Sequence, residues 1–310
     1  MRAVRCSGGS VAVVEVAAPR GDGVRVRIRS AGICGSDLHL LERFAPKVTL
    51  GHEMAGLTGD GTPVAIEPLL PCGACPACAA GDYNRCALGP GIAMGTAHDG
   101  GMADEILVPE RCLVPLATGV TPEDACLVEP LAVAVHGLRR ARVSGGARVA
   151  VIGGGSIGLC AVAVAARAGA EVALVARHDA QREAGARLGA AEPAGSYELV
   201  VDAAGTPSAL ALAVELCRPG GTLLLLATYW SGLELPGFAV CLKEVTVVPA
   251  SMYGRAGASR DVEVAAAILA ARPEIAAAII THRFPLEAAR EAFAAAADRG
   301  GGAIKVVLEP

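Results

Sequence analysis

Four cysteines lie close together in a stretch that is rich in glycine and proline. The spacing C-x2-C-x2-C-x7-C joins Cys72, Cys75, Cys78 and Cys86. Four thiolates in one loop suit a tetrahedral zinc ion, and a site closed by four sulfurs leaves no position for water. We therefore predict a structural zinc site here, with an iron–sulfur cluster as the alternative metal centre.

A second set of possible metal ligands and proton carriers is scattered along the chain. The candidates are Cys34, Ser36 and His39 in "CGSDLH", His52 and Glu53 in "GHE", and Glu129 in "VEPLA". Each has an ordinary structural interpretation when it is taken alone; an isolated cysteine, for example, is usually a small buried apolar residue. Spacing alone does not bring these residues together, so their chemistry depends on the fold.

A glycine motif indicates a dinucleotide-binding turn. Gly153, Gly155 and Gly158 form G-x-G-x-x-G, directly after the apolar segment "ARVAVI" and at the start of the predicted helix "IGLCAVAVAARAG". In such a strand–turn–helix unit the glycines permit a tight turn, close approach of a pyrophosphate and close packing of helix on strand. Ser156 and Ile157 complete the turn, and the helix N-terminus faces the anion. The alternative is an ordinary glycine turn of an α/β protein.

The end of the next strand bears on which nicotinamide cofactor binds. In NAD-binding proteins an acidic residue about 20 positions after the glycines binds the ribose 2′-hydroxyl. Here Ala176 stands at that place, followed by Arg177 and His178. Because the planar guanidinium of Arg177 can bind a 2′-phosphate, with help from Arg182, we predict a preference for NADP(H). Asp179 is the rival, since a small change of register would let it bind the 2′-hydroxyl instead.

The elements around these residues predict a β-rich region followed by an α/β region. Near the N-terminus, "VRVRIRSAG" alternates like a half-buried strand, and Gly and Pro punctuate the neighbouring segments. The pattern changes near Thr121, which we expect to cap a helix that begins at Pro122. The apolar strands that follow are typical of a parallel sheet that is buried on both faces. An Ala-rich helix over 261–271 precedes a final strand–helix–strand segment.

The overall composition argues against several classes of protein. Hydrophobic residues make up 53% of the 310 residues, which is ample for a buried core. A net charge of -4 and an aromatic content of 3% argue against a nucleic-acid surface. No apolar stretch has membrane-spanning length, and the N-terminus lacks the pattern of a signal peptide. We therefore expect a cytoplasmic protein whose eleven cysteines bind metal or stay as buried thiols.

Taken in chain order, these segments resemble those of the zinc-dependent medium-chain alcohol dehydrogenases, and of their sorbitol-, threonine- and glucose-dehydrogenase branch in particular. The matching segments are "CGSDLH", "GHExxG", the four cysteines, "DGGMADEILVP", "VEPLAVAVHGL", "VAVIGGGSIG" and "HRFPLEAAREAF…IKVVL", which together cover essentially the full chain. The resemblance implies an α/β fold in which a GroES-like β-barrel catalytic domain is combined with a Rossmann domain of doubly wound parallel sheet. The implied boundaries are residues 1–117 and 273–310 for the catalytic domain and residues 118–272 for the Rossmann domain.

The resemblance also implies a catalytic zinc ion in addition to the structural one, and so two zinc ions per chain. The implied ligands of the catalytic zinc ion are Cys34 and His52 together with Glu129 or Glu53, and the sequence does not rank the two glutamates.

Two contractions depart from the family pattern, one between His39 and Gly51 and one after "GHEMAG". By the resemblance, these contractions lie near the substrate entrance and the barrel edge, and they leave the ligands intact.

The implied reaction interconverts a secondary alcohol, a polyol or a sugar-like hydroxyl with its ketone by hydride transfer to or from the cofactor. In the implied roles, Ser36 takes the proton, His39 passes it to solvent, and Asp37 orients His52. Ala204 in "DAAG" and Lys305 match positions near the cofactor. The expected partners are a small alcohol or ketone and further copies of the chain in a homodimer or homotetramer, with neither nucleic acid nor membrane.

Three alternatives remain open at this point. The first is an NAD-dependent dehydrogenase of the same family. The second is a zinc-free quinone or enoyl reductase, which would lack the Cys34 and His52 set and the four cysteines. The third is a zinc- and dinucleotide-binding redox sensor without catalysis, and the complete proton relay argues against it.

Tyr229 and Trp230 have two possible places: they either line the substrate site or pack in a subunit interface.

Overall fold

The chain folds into two compact units. The structure is a computed structural model that describes residues 1–230 and 232–310. Unit 1 contains Met1–Glu129 and Gly254–Pro310, and unit 2 contains Pro130–Tyr253. These boundaries differ from the predicted ones, which lie after residues 117 and 272.

The described residues contain the following regular elements. The strands are β1 (Arg2–Ser7), β2 (Ser10–Glu15), β3 (Val24–Ile33), β4 (Glu53–Thr58), β5 (Pro63–Ile66), β6 (Glu105–Val108), β7 (Leu113–Pro115), β8 (Arg148–Ile152), β9 (Glu171–Val175), β10 (Tyr197–Asp202), β11 (Cys217–Leu225), β12 (Thr246–Pro249), β13 (Arg255–Ala256), β14 (Ser259–Arg260), β15 (Ile280–Pro285) and β16 (Lys305–Glu309). The α-helices are α1 (Gly35–Arg43), α2 (Pro76–Ala79), α3 (Val128–Arg140), α4 (Ser156–Arg167), α5 (Asp179–Arg187), α6 (Pro207–Leu216), α7 (Gly237–Leu242), α8 (Asp261–Ala271), α9 (Glu274–Ile279) and α10 (Ala289–Ala297). Short 3₁₀ helices cover Tyr83–Arg85, Gly89–Ile92, Glu110–Cys112, Ala125–Leu127 and Leu286–Ala288.

The main sheet of unit 1 is organised around β3. The strand order is β15-β16-β3-β4-β5-β7, and β6 also pairs with β3. Successive residues of β3 alternate between exposed and buried over its first half, as its sequence pattern predicted. The inward side chains form an apolar core with the helix α10; among them are Val26, Ile28, Met54 and Phe293.

The register of this sheet brings distant residues to one end of β3. Strands β3 and β4 are antiparallel, with Gly32 opposite Glu53. Strand β16 is antiparallel to β3 on the other side, with Val306 opposite Ile33. The residues that follow β3, precede β4 and begin β16 therefore lie close together, although the chain separates them widely.

The helix expected to begin at Pro122 begins later, and this prediction is wrong. A turn and a 3₁₀ helix precede α3, which starts at Val128. The carbonyl of Pro122 accepts a hydrogen bond from the Ser30 hydroxyl at 2.6 Å, and the carbonyl of Glu123 accepts one from Arg283 at 3.0 Å. These contacts hold the segment in unit 1 and use carbonyls that a longer helix would need.

The helix α8 has the predicted bounds but belongs to unit 1. It packs against β7 and the 3₁₀ helix Ala125–Leu127. Arg260, immediately before α8, donates hydrogen bonds to the carbonyls of Arg111 at 2.6 Å and Leu113 at 3.1 Å. These contacts are with the β-rich region, which is why α8 belongs to the compact unit 1.

Unit 2 contains the predicted parallel sheet. Its strand order is β12-β11-β10-β8-β9, and each neighbouring pair is parallel. Most residues of β8 and β10 are buried, as expected for strands covered on both faces. The isolated bridge between Ala173 and Ala191 extends the pairing beyond β9. Among the described residues, no helix has the length and apolar character that a membrane crossing requires.

A substitution at Gly32 tests the register that assembles the end of β3. A β-carbon on Gly32 would lie inside van der Waals contact of the Glu53 carboxylate. We expect Gly32→Ala to destabilise the fold by about 1–3 kcal/mol through overpacking, and to lower the melting temperature in circular dichroism by several degrees. Gly59→Ala is the matched control, because its β-carbon meets nothing within 4 Å. Equal melting of the two variants would contradict the packing argument.

Candidate functional site

Cys34 and His52 meet at the end of the β3–β4 pair. Cys34 follows β3 and caps helix α1, where its backbone N–H donates to Asp37 Oδ2 at 2.9 Å. His52 immediately precedes β4. The antiparallel register places the two residues side by side, and the ligand atoms of Cys34, His52 and Glu53 lie within 4.8 Å of one another.

The carboxylate of Glu53 is held by a buried ion pair. Lys305 Nζ lies 2.7 Å from Glu53 Oε1 and 2.5 Å from Oε2, and it also donates to the carbonyl of Ile33 at 3.0 Å. The side chains are only 2% and 1% exposed. Burial acts to lower the pKa of Lys305, but the charge of Glu53 outweighs it, so the pKa lies above its usual range.

The structure shows contacts of Lys305 that its predicted position near the cofactor did not include. An ammonium has three donor hydrogens, and the three acceptors beside Lys305 Nζ are Glu53 Oε1, Glu53 Oε2 and the Ile33 carbonyl. Gly32 makes this arrangement possible, because a side chain there would occupy the space of the Glu53 carboxylate. Lys305 is therefore a positioning residue for Glu53.

The His52 ring lies between Asp37 and Ser36. Its Nδ1 is 3.4 Å from Asp37 Oδ1, and its Nε2 is 3.4 Å from Ser36 Oγ. Burial acts to lower the pKa of His52, but the charges of Asp37 and Cys34 outweigh it, and the pKa lies well above its usual range. Negative charge thus converges on this ring and favours a cation nearby.

The residues at the end of β3 fit a zinc ion. Zinc takes cysteine sulfur, histidine nitrogen and carboxylate oxygen as ligands, and these are the donors that Cys34, His52 and Glu53 offer. A carboxylate beside the second ring nitrogen of a ligating histidine is the usual orienting partner. Asp37, which is fully buried, stands in that position relative to His52 Nδ1.

Two further predicted site residues lie around this group. His39 is on α1, one turn after Ser36, and its side chain is 45% exposed with Nδ1 3.8 Å from Glu42 Oε2. Glu129 is half-buried in the first turn of α3. Among the described residues it falls outside the group formed by Cys34, His52 and Glu53. The geometry therefore favours Glu53 over Glu129 as the third donor.

The four cysteines converge as their spacing predicted. The sulfur atoms of Cys72, Cys75, Cys78 and Cys86 lie within 4.8 Å of one another, in what we call the four-cysteine lobe (72–86). The backbone N–H groups of Ala87 and Cys78 lower the pKa of Cys75 to about 6. The backbone N–H of Cys72 lowers the pKa of Cys86 in the same way. These two thiols favour the thiolate form that binds metal, and the lobe fits a four-sulfur zinc site.

A buried polar network connects the lobe to the rest of unit 1, and sequence reasoning missed it. Tyr83 Oη, within the lobe, donates to Glu67 Oε1 at 2.5 Å. Arg260 donates to the other oxygen of Glu67 at 2.8 Å. Burial raises the pKa of Glu67, although both partners act in the opposite direction. Glu67 and Arg260 are far apart in the chain, so no local pattern could have revealed the pair.

The glycine turn of unit 2 has the expected close packing. Gly153 follows β8 with φ +104°, a conformation that favours glycine, and Gly155 caps α4. A β-carbon on Gly158 would collide with the Gly153 carbonyl. Ser156 and Ile157 form the half-buried start of α4, and a helix N-terminus favours an anion. These features fit the diphosphate of a dinucleotide.

Arg177 and Arg182 lie at the end of β9 but differ in their contacts. Arg182 donates to the carbonyl of Ala176 at 2.9 Å and of Arg177 at 3.1 Å, and it pairs with Asp179. Arg182 therefore stabilises the turn after β9. It also pairs with Asp179, the residue that was the alternative to Arg177 as the contact of the cofactor ribose. The Arg177 side chain is exposed, and among the described residues it makes no hydrogen bond or ion pair. His178 caps α5 beside it.

Asp202 fixes the loop that contains Ala204. Its Oδ1 accepts hydrogen bonds from the backbone N–H groups of Ala204 at 2.8 Å and Gly205 at 3.2 Å. Its Oδ2 accepts one from Tyr229 Oη at 2.7 Å. Ala204 in turn packs against the glycine turn, since a β-carbon on Gly153 would lie 3.0 Å from its nitrogen. Tyr229 is thus engaged within unit 2.

Comparisons with known proteins show which protein family this chain resembles in sequence. Residues 20–118 match the model of the alcohol dehydrogenase GroES-like domain. The chain is 32% identical to galactitol 1-phosphate 5-dehydrogenase of Escherichia coli K12, covering 93% of this chain and 94% of that protein. It is 30% identical to L-galactonate-5-dehydrogenase of the same organism, covering 90% and 89%.

A solved structure of a dehydrogenase is similar to this chain over its full length, in agreement with the sequence comparisons. The structure of a protein described as a zinc-binding dehydrogenase from Sinorhizobium meliloti 1021, bound to NADP, superposes with a TM-score of 0.88 at 28% identity. The similarity covers 100% of this chain and 99% of that one. The predicted fold class, a GroES-like catalytic domain with a Rossmann domain, is therefore confirmed. The chain belongs to the zinc-dependent medium-chain alcohol dehydrogenase family and is an enzyme that uses zinc and a nicotinamide cofactor.

Proposed function

We propose that this enzyme interconverts a secondary hydroxyl of a polyol or sugar-like substrate with the ketone, with NADP(H) preferred over NAD(H). The observation that carries the proposal is the meeting of Cys34, His52 and Glu53 with the Ser36 hydroxyl beside the His52 ring. A metal donor set next to a hydroxyl proton carrier suits oxidation of an alcohol. The comparisons support the reaction class, and the residue roles below are our own assignments.

We assign two zinc sites. Cys34, His52 and Glu53 would hold the catalytic ion, and the cysteines of the four-cysteine lobe (72–86) would hold the structural ion. The chemistry supplied by zinc and nicotinamide, when both are bound, is Lewis acidity at the substrate hydroxyl and acceptance of a hydride. Asp37 keeps the His52 ring in place, and Lys305 keeps the Glu53 carboxylate in place.

The proton of the substrate hydroxyl is assigned to Ser36 and then to His39. Ser36 Oγ stands 3.4 Å from His52 Nε2, at the edge of the donor group. His39 follows one helical turn later and is partly exposed. Because an imidazole can both accept and release a proton, His39 can pass one between Ser36 and solvent.

The substrate class rests on the named relatives. L-galactonate and galactitol 1-phosphate, after which two relatives are named, are both polyhydroxy compounds. A polyol or sugar-like substrate is therefore the class to test first.

We expect the enzyme to act in the cytoplasm as a homodimer or homotetramer. The eleven cysteines are free thiols in the structure, which suits a reducing compartment.

The preference for NADP(H) rests on Arg177. Its guanidinium is exposed at the end of β9, whereas Arg182 and Asp179 are paired with each other. An unpaired guanidinium suits a 2′-phosphate, while an acid already engaged by arginine is a poorer acceptor for a 2′-hydroxyl. The neighbour from Sinorhizobium meliloti, which is bound to NADP, supports this choice.

Metal content tests the two zinc sites. The purified protein should contain two zinc ions per chain by elemental analysis. Cys34→Ala should lose one ion and turnover while it keeps its fold and NADPH binding, because Cys34 lies in the catalytic donor group. Cys75→Ser should lose the other ion and melt at a lower temperature. Cys241→Ala, at an exposed cysteine outside both groups, is the control. Full activity of Cys34→Ala would remove the catalytic site from this assignment.

Cofactor selectivity tests Arg177. Removing a charged hydrogen bond to phosphate costs about 1.5–3 kcal/mol, so Arg177→Ala should weaken NADPH binding roughly 10- to 100-fold. Binding of NADH should change little, because it has no 2′-phosphate. Fluorescence titration of both cofactors measures this, with Arg187→Ala, an exposed arginine at the end of α5, as the control. Tighter NADH than NADPH binding in the unmodified protein would instead favour Asp179 as the ribose contact.

A further inference from the structure

Arg299 lies beside the turn that carries Cys34 and Ser36. It follows helix α10, and its Nη2 atom is 3.7 Å from the position that a β-carbon would occupy on Gly35. Gly35 stands between Cys34 and Ser36 in the chain and is half-exposed. The guanidinium therefore lies close to the backbone of Gly35, which joins the residues assigned to the metal and to the proton, on a part of the turn that solvent reaches.

The neighbouring carboxylates are engaged elsewhere. Asp298, the residue before Arg299, accepts a hydrogen bond from the Gly301 backbone N–H at 3.0 Å. Asp37 is buried against Cys34 and His52, and Glu53 is paired with Lys305. Among the residues that the structure describes, the Arg299 side chain has neither a hydrogen bond nor an ion pair, and only its backbone N–H donates, to the carbonyl of Ala297 at 3.1 Å. Its positive charge is left for another partner.

The two basic residues of this segment contrast with each other. Lys305 is buried, and its three donors are used inside the protein. Arg299 is half-buried with five N–H donors in a planar arrangement, which matches the oxygens of a carboxylate or phosphate. Gly35 has no side chain that would cover the guanidinium from the side of the turn.

We propose that Arg299 binds an oxyanion of a molecule that occupies the Cys34–His52–Glu53 site. The oxyanion belongs either to an acidic substrate, as a carboxylate or phosphate, or to a phosphate of the nicotinamide cofactor. This inference rests on the proposed function and deepens it, because the first source makes the substrate a polyol acid or polyol phosphate.

The test compares three variants of the zinc-loaded enzyme. Arg299→Gln removes the charge, Arg299→Lys keeps it, and Arg290→Gln changes an exposed arginine of α10 as the control. Calorimetry gives the dissociation constants of galactitol 1-phosphate and of galactitol, and fluorescence gives that of NADPH. Initial rates with both polyols are measured in parallel.

Loss of one charged hydrogen-bond partner predicts roughly a 10- to 100-fold effect in Arg299→Gln, with partial recovery in Arg299→Lys. Weaker binding of galactitol 1-phosphate alone, with galactitol and NADPH unchanged, assigns Arg299 to the substrate anion. Weaker NADPH binding, with the ratio between the two polyols unchanged, assigns it to a cofactor phosphate. Changes below twofold in all three constants overturn the proposal.

The binding measurements separate this inference from the proposed function. If the unmodified enzyme turns over neither polyol, the substrate class of the proposed function fails, but the three dissociation constants still decide the role of Arg299. If the enzyme is active and Arg299→Gln behaves like Arg290→Gln throughout, the proposed function stands and the role of Arg299 fails.

Discussion

The buried ion pair between Glu53 and Lys305 is the interaction on which the candidate metal site depends. It joins β4 to β16 across the end of β3, and the same ammonium holds the carbonyl of Ile33. Removing one partner of such a pair leaves an uncompensated buried charge, which costs about 3–5 kcal/mol. The pair persists because each donor of Lys305 has an acceptor and because Gly32 leaves room for the carboxylate. The strand ends, and with them Cys34 and His52, are held in register.

The same pair sets the charge at the donor group. A cysteine thiolate and a glutamate beside one histidine would repel each other in a site with little water. Lys305 offsets one of these negative charges, while Asp37 adds another behind His52. The balance leaves room for a divalent cation and for ligands with partial negative charge. An alcohol oxygen is a ligand of that kind, so the electrostatics agree with the proposed reaction.

Features with local causes were predictable from the sequence, and features with distant causes were not. The glycine turn, the alternation of β3 and the four-cysteine lobe follow from residues close in the chain. The start of α3 was misplaced because Ser30, more than 90 positions earlier, binds the carbonyl of Pro122. The resemblance to a family supplied the grouping of Cys34 with His52. It also predicted a position near the cofactor for Lys305, but it did not predict the ion pair of Lys305 with Glu53.

The two candidate metal sites differ in what holds them together, and this difference bears on how each should respond to change. The four-cysteine lobe is a single loop, tied to the sheet through Tyr83 and Glu67, so a change within it should remain largely local. The site at Cys34 and His52 exists only where β3, β4 and β16 are in register. Its geometry is a property of the whole sheet, whereas in our proposal its specificity depends on side chains outside the sheet, such as Arg299. Reactive residues positioned by a sheet can be combined with different ligand-contacting residues in loops. Such a division agrees with the occurrence of relatives that are named for different polyhydroxy substrates.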